Sequence, residues 1–154
     1  MDYQLLLLVH ILAGMAWVGG AIVLQATLLV ARRSGDPTEV DRVMRSLGWA
    51  DTWLALPAPL VVLATGAAMV ISSAAWSFTQ AWILISIGLV VVYELVAMTV
   101  GGRLYRRIAA TRASGELDGA AHARTMAAWG RLSALLLALL VVAVGLMVFK
   151  PGVG

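Results

Sequence analysis

Charged residues are absent from three stretches of the chain, residues 3–31, 52–93 and 132–149. A helix needs about 20 apolar residues to cross a hydrocarbon core about 30 Å thick, so each stretch is long enough to span it, and the middle one is long enough to span it twice. The interruption in the middle stretch falls between Ser72–Ser73 and Thr79–Gln80, a small polar segment with Trp76 and Trp82 beside it, residues at home in the interfacial belt. The pattern therefore predicts four spans, about 4–31, 53–72, 81–103 and 130–149, in one all-α transmembrane bundle covering residues 1–154. A spanning β-barrel is excluded, because the stretches lack the alternation between lipid-facing and lumen-facing positions that a strand must show.

Local signals sharpen the segments between the spans. Asp36-Pro37-Thr38-Glu39 combines a capping residue, a proline at the first helical position and an acid in the first turn, which marks a helix start. That helix is expected to run into the second span and to kink at Pro57 and Pro59, where proline removes a donor and crowds the preceding turn. The third helix is expected to continue through Arg112, turn at Ser114–Gly115 and give way to a fourth helix from near Leu117. Helices 2–4 are thus extended beyond the membrane.

Composition agrees with this reading: 62% of residues are hydrophobic and only 12% are charged, against about 25% charged in an ordinary soluble domain. Ten of the eleven basic residues lie in two groups: Arg32, Arg33, Arg42 and Arg45 after the first span, and Arg103, Arg106, Arg107, Arg112, Arg124 and Arg131 around the third connection. The positive-inside rule puts both groups in the cytoplasm and both termini outside, so the formal charge of +3 reports topology, not nucleic-acid binding. The basic residues follow the first apolar run instead of preceding it, and the run exceeds the length of an h-region, so a cleaved signal peptide is not expected. With no cysteine, disulfides, thiolate metal sites and a cysteine nucleophile are excluded. No Walker loop, dinucleotide fingerprint, His-Glu-x-x-His or serine elbow occurs.

Ionisable groups inside a span are costly and are functional candidates by default. His10 lies roughly 9 Å inside the first span by the helix rise, and His10, Gly14, Trp17 and Ala21 share one helical face. A histidine beside a glycine leaves room for a flat ligand or a close helix. His10 is therefore either a haem or metal ligand, or a neutral histidine hydrogen-bonded to a neighbouring helix. Met69 and Met147 reach a similar depth, so His10 with one or two thioethers could also hold Cu(I), a soft ion suited to sulfur. Glu94 falls near mid-span on a face with Met98, Gly101 and Tyr105, a proton or cation site or an interhelical hydrogen bond. Asp51 and Gln25 lie near the inner boundary, where water or arginine can satisfy them. His122 repeats the spacing of His10, with His10-x6-Trp17 matched by His122-x6-Trp129; the two lie at opposite membrane faces, and His122 is expected to be solvated or beside an arginine. Gly14, Gly19, Gly20, Gly66, Gly88, Gly101, Gly102 and Gly145 are read as close helix packing, including contacts with a second copy.

The first span, from His10 through Trp17 to Gly19–Gly20, resembles the opening His-x6-Trp-x-Gly helix of a superfamily of small bacterial membrane proteins. This superfamily includes HemJ-type protoporphyrinogen oxidases, CopD-type copper-resistance proteins and a family of four-helix integral membrane proteins of unassigned function. Leu56-Pro57-Ala58-Pro59, Thr65-Gly66-Ala67-Ala68-Met69 and the ending Val148-Phe149-Lys150-Pro151 are similar to further parts of the same pattern. The resemblance implies a bacterial cytoplasmic membrane location. In the HemJ branch it implies haem b with His10 as iron ligand, and in the CopD branch copper handling. Where HemJ-type proteins carry Tyr-His on the third helix this chain has Tyr93–Glu94, and it lacks their lysine there and the Asn-Glu-x-Pro of the fourth helix. The branch of unassigned function is therefore the nearest.

Overall fold

The computed structural model describes residues 2–55, 57–115, 117 and 119–152, with the side chains of 47–55 outside that description. It is helical throughout: α1 Tyr3–Arg33, α2 Pro37–Ala55, α3 Pro57–Ser72, α4 Ala81–Val96, a π-helical turn Ala97–Gly101, α5 Gly102–Ala113 and α6 Ala120–Phe149. Three continuous helical stretches are long and apolar enough to cross a membrane: Tyr3–Arg33, Ala81–Ala113 and Ala120–Phe149. The apolar helix α3 has 16 residues, about 24 Å at 1.5 Å per residue, which falls short of a full crossing by itself.

Local chemistry sets most of these boundaries. The side chain of Asp2 accepts from the Gln4 amide at 3.2 Å and caps α1, and Asp36 accepts from the Thr38 amide at 2.8 Å and caps α2. Helix α1 ends on Ser34–Gly35 and α5 on Ser114–Gly115. Gly35 and Gly115 sit at φ +74° and +75°, in the left-handed region that closes a helix cheaply only at glycine. The kink expected at Pro57 and Pro59 turns on Leu56, which lies outside the described residues; helix is described on either side of it, α2 to Ala55 and α3 from Pro57. One expectation changes. Helix α6 starts at Ala120, three residues after Leu117, with Gly119 extended at ψ 142° before it.

Helix α1 packs along α3 and α2, and α6 packs along α4 and α5; α1 and α6 join the two halves. Two buried clusters lie along this seam. At the middle of the bundle, Trp17, Ala58, Val62, Val90 and Leu140 pack together. Near the arginine-rich end, Leu28, Met44, Ile108 and Met126 do so. The outward faces are as apolar as these clusters, with Leu8, Leu12, Met15, Val23, Leu135, Val142 and Val148 each more than half exposed. Such continuous apolar surface suits a lipid environment, where a helix satisfies its backbone groups internally.

The glycines do not behave as a packing seam. A Cβ added at Gly14, Gly19, Gly88, Gly102 or Gly145 would meet nothing within 4 Å, and at Gly101 only ordinary contact with Leu132. Within one copy, tight approaches occur at Gly66, 3.3 Å from the His10 ring, and at Gly130, which lies directly beneath the Arg32 guanidinium.

Candidate functional site

His10 faces α3. Its Nδ1 lies 3.0 Å from Thr65 Oγ1. The threonine hydroxyl has a single hydrogen, and it is directed back to the Val61 carbonyl at 2.6 Å. Thr65 therefore accepts from His10, which places the ring hydrogen on Nδ1 and leaves Nε2 with its lone pair. A Cβ at Gly66 would press on the ring, so the missing side chain there seats the imidazole. One turn further along α1, the space beside Gly14 is open. A histidine held by a hydrogen bond at Nδ1, with the lone pair on Nε2, has the chemistry of a metal-ligating imidazole.

The other members of the expected site divide. Trp17 is 4% exposed within the core cluster, and its ring meets Tyr93 edge-on at 5.0 Å between centroids, so it is a packing residue at the centre of the seam. Met69 is half-buried four residues beyond Thr65 on α3, and Met147 is half-buried near the end of α6. Neither sulfur is hydrogen-bonded to His10 among the described residues. No cluster of three or more His, Cys, Asp or Glu occurs among the described residues. The side chain of Asp51 lies outside the described residues.

Glu94 lines a cavity of about 270 Å³ between α1, the α4–α5 stretch and α6, together with Gln25, Tyr93, Tyr105, Trp129 and Ser133. The π turn contributes Ala97 and Gly101 to its wall. Its wider winding breaks the 3.6-residue register, so Met98, expected on the face of Glu94, is 62% exposed while Ala97 takes the inward position. Gln25 Nε2 is buried with no partner among the described residues.

Sequence reasoning missed the arginine end. Asp41 is 3% exposed and pairs with the Arg112 guanidinium, with Arg45 at 3.5 Å, so α2 is tied to α5 by a buried carboxylate. His122, expected to be solvated or beside an arginine, is not in solvent: it is 4% exposed, and its Nδ1 lies 2.7 Å from Thr111 Oγ1, whose hydrogen points to the Ile108 carbonyl at 3.0 Å. The packing of α5 on α6 closes over it. Arg32, read as a topology marker, also reaches across from α1 to donate to the Met126 carbonyl at 3.0 Å, over Gly130. One signal for Asp41 is present in the sequence: it stands three residues before Met44 and beside Val40, on the apolar stripe of α2.

At the opposite end an aromatic clasp joins distant segments. The Trp76 indole donates to Tyr3 Oη at 3.2 Å, Trp76 and Trp82 meet edge-on at 5.5 Å, and Lys150 Nζ sits 4.3 Å from the Trp76 centroid. Lys150 adopts the left-handed conformation, φ 42°, that ends α6.

Long apolar helices with lipid-facing surfaces and few charges define an integral membrane protein. The chain belongs to the DUF2269 family, described as predicted integral membrane proteins, whose model matches residues 4–151. No curated protein and no solved structure matches it.

Proposed function

We propose that this protein is a four-helix bundle of the bacterial cytoplasmic membrane, with both termini outside, that binds haem b through His10 and serves redox or haem-related chemistry. The reading rests on the HemJ/CopD-like motifs of the first two spans and on one observation above all. Thr65 Oγ1 engages His10 Nδ1, which leaves Nε2 as the ring nitrogen available to a ligand, and the space beside Gly14, one turn along α1, is open. Haem bound there supplies one-electron chemistry. The chain itself orients the ligating nitrogen through Thr65, seats the ring on Gly66 and keeps water from the adjoining core through Trp17 and Tyr93. The arginines gathered at one end of the bundle support the orientation. The open glycines at Gly14, Gly19, Gly88 and Gly145 support pairing with a second copy in the membrane, since small residues let helices approach closely.

The test is the absorption spectrum of protein purified in mild detergent and supplemented with haem. A Soret band that is lost in His10→Ala and shifted in Thr65→Val supports the proposal. Absence of the band, or a band unchanged in His10→Ala, overturns it. Stoichiometric Cu(I) retained without a Soret band, and lost when Met69 or Met147 is replaced, would replace haem with a copper-handling role.

A further inference from the structure

The arginines at one end of the bundle divide by what they touch. Arg32 donates to the Met126 carbonyl, Arg42 pairs with Glu39, and Arg45 and Arg112 share the buried Asp41 carboxylate. Arg103, Arg106, Arg107, Arg124 and Arg131 are exposed, and none of them meets an acidic side chain among the described residues. Arg124 commits only its Nε–H, to the Ala120 carbonyl at 3.2 Å.

The packing of α5 against α6 sets where these five lie. On α5 the inward face carries the buried Ile108 and the half-buried Leu104 and Thr111. At about 100° per residue, Arg103, Arg106 and Arg107 fall together on one flank of that face, and Arg112, turned to Asp41, falls on the other. On α6, Arg124 and Arg131 are nearly two turns apart and share the side opposite the buried His122 and Met126. The Thr111–His122 contact at 2.7 Å fixes the register of the two antiparallel helices. Arg103 precedes Thr111, and Arg131 follows His122, by about 12 Å and about 13.5 Å along the axes, so the two positions are level. Toward the middle of the bundle from that level, Val100 and Leu135 are exposed on the same two helices, and Leu135 is one turn beyond Arg131 on the same side. Topology asks for positive charge on one side of the membrane, but not for unpaired arginines gathered on one face at the edge of an apolar surface.

We propose that the outer face of α5 and α6 is a binding site for an anionic phospholipid, with its phosphate between Arg103 and Arg131 and its acyl chains along Val100 and Leu135. Guanidinium groups match phosphate oxygens in paired hydrogen bonds. Arg106, Arg107 and Arg124 add positive potential that favours a headgroup of net negative charge over a zwitterionic one, which brings its own ammonium. Soluble phosphate or nucleic acid would meet the same cations and leave the apolar half of the face uncovered. The site does not depend on the haem reading, and lipid preference is expected to be unchanged in His10→Ala.

Native mass spectrometry of the full chain in a neutral detergent, with equimolar dioleoylphosphatidylglycerol and dioleoylphosphatidylcholine added, tests the assignment. Retention of the anionic lipid is expected to exceed that of the zwitterionic one by about tenfold, and the excess is expected to fall about fivefold or more in Arg103→Gln with Arg131→Gln. Arg33→Gln with Arg42→Gln removes the same charge from α1 and α2 and is expected to leave the preference unchanged. Arg103→Lys with Arg131→Lys keeps the charge and is expected to keep the preference, which separates lost charge from lost fold. Equal retention of the two lipids, a preference that survives the Arg103 and Arg131 glutamines, or an equal loss in the α1 and α2 pair or in the lysine pair overturns the proposal. So does displacement of the lipid by inorganic phosphate or by a short oligonucleotide, which would make a soluble anion the ligand.

Discussion

His10 and His122 make the same bond in different surroundings. Each offers Nδ1 to a threonine on a neighbouring helix, and each threonine spends its own hydrogen on a carbonyl of its own helix. Around His10 the neighbours are small, Gly66 and the open space at Gly14, and the ring is only half-buried. Around His122 the bundle is closed and the residue is 4% exposed, with the buried Asp41–Arg112 pair bridging α2 to the helix that carries its threonine. Identical hydrogen bonding therefore does not assign a role. What differs is the room around the two rings, open beside Gly14 and closed around His122.

If the arginine end is a lock and the termini end an open site, substitutions at the first should cost stability and those at the second should cost ligand. The largest effect is expected for Asp41→Ala, which strands the Arg112 guanidinium; loss of about 3 kcal/mol in detergent unfolding is expected, the scale for breaking a buried ion pair. A midpoint unchanged from the parent chain would mean that the pair is incidental. Thr111→Val is next, at about 2 kcal/mol, because it leaves the buried His122 N–H without an acceptor. The matched change Thr65→Val is expected to cost well under half of that and to register in the haem spectrum instead. Equal destabilisation by the two valines would erase the distinction between the pairs.

Gly130→Ala places a methyl where the Arg32 guanidinium lies. The side chain can swing aside, so the cost is the lost bond to the Met126 carbonyl, about 1 kcal/mol; adding Arg32→Ala to that variant should then change the midpoint little. The smallest effect concerns the entry to α2. The Thr38 side-chain and backbone hydrogen bonds hold the Asp36 carboxyl below its ordinary value. The cap is therefore fully present above the ordinary carboxylate range and is lost as pH falls through the lower, folded value. Faster amide exchange at Thr38–Val40 in acid, matched at neutral pH by Asp36→Ala, is the expected sign.

Features written within a few consecutive residues were legible in the sequence. The charge-free runs, the Asp36 cap and the Ser114–Gly115 turn each act over one helical turn or one membrane thickness, and each appears where expected. His10 was found because an ionisable group in an apolar run is conspicuous. Arg32 was not, because charge in a connecting segment looks the same whether it meets water or another helix, and Asp41 differed only by its place on the apolar stripe of α2. The partner of Arg32 is ninety-four residues away at Met126, and nothing near either residue announces the other. The π turn was illegible for a related reason: Ala97–Gly101 contains no proline, Gly101 and Gly102 read as packing glycines, and one extra residue in a helix shows only in which neighbours end up facing inward.

The aromatic clasp has a consequence for how the chain enters the membrane. During synthesis the Tyr3–Trp76 contact becomes available once the ribosome has passed the third helix, whereas Lys150 reaches the two indoles only after the whole of α6 has been inserted. Until then Trp76 and Trp82 are held without their cation, and the α1–α3 half can form before its partner. Closing the ring of contacts is thus a late event that requires the last helix to have entered in the correct direction, so a chain inserted with α6 reversed would leave the indoles unlatched and distinguishable by their fluorescence.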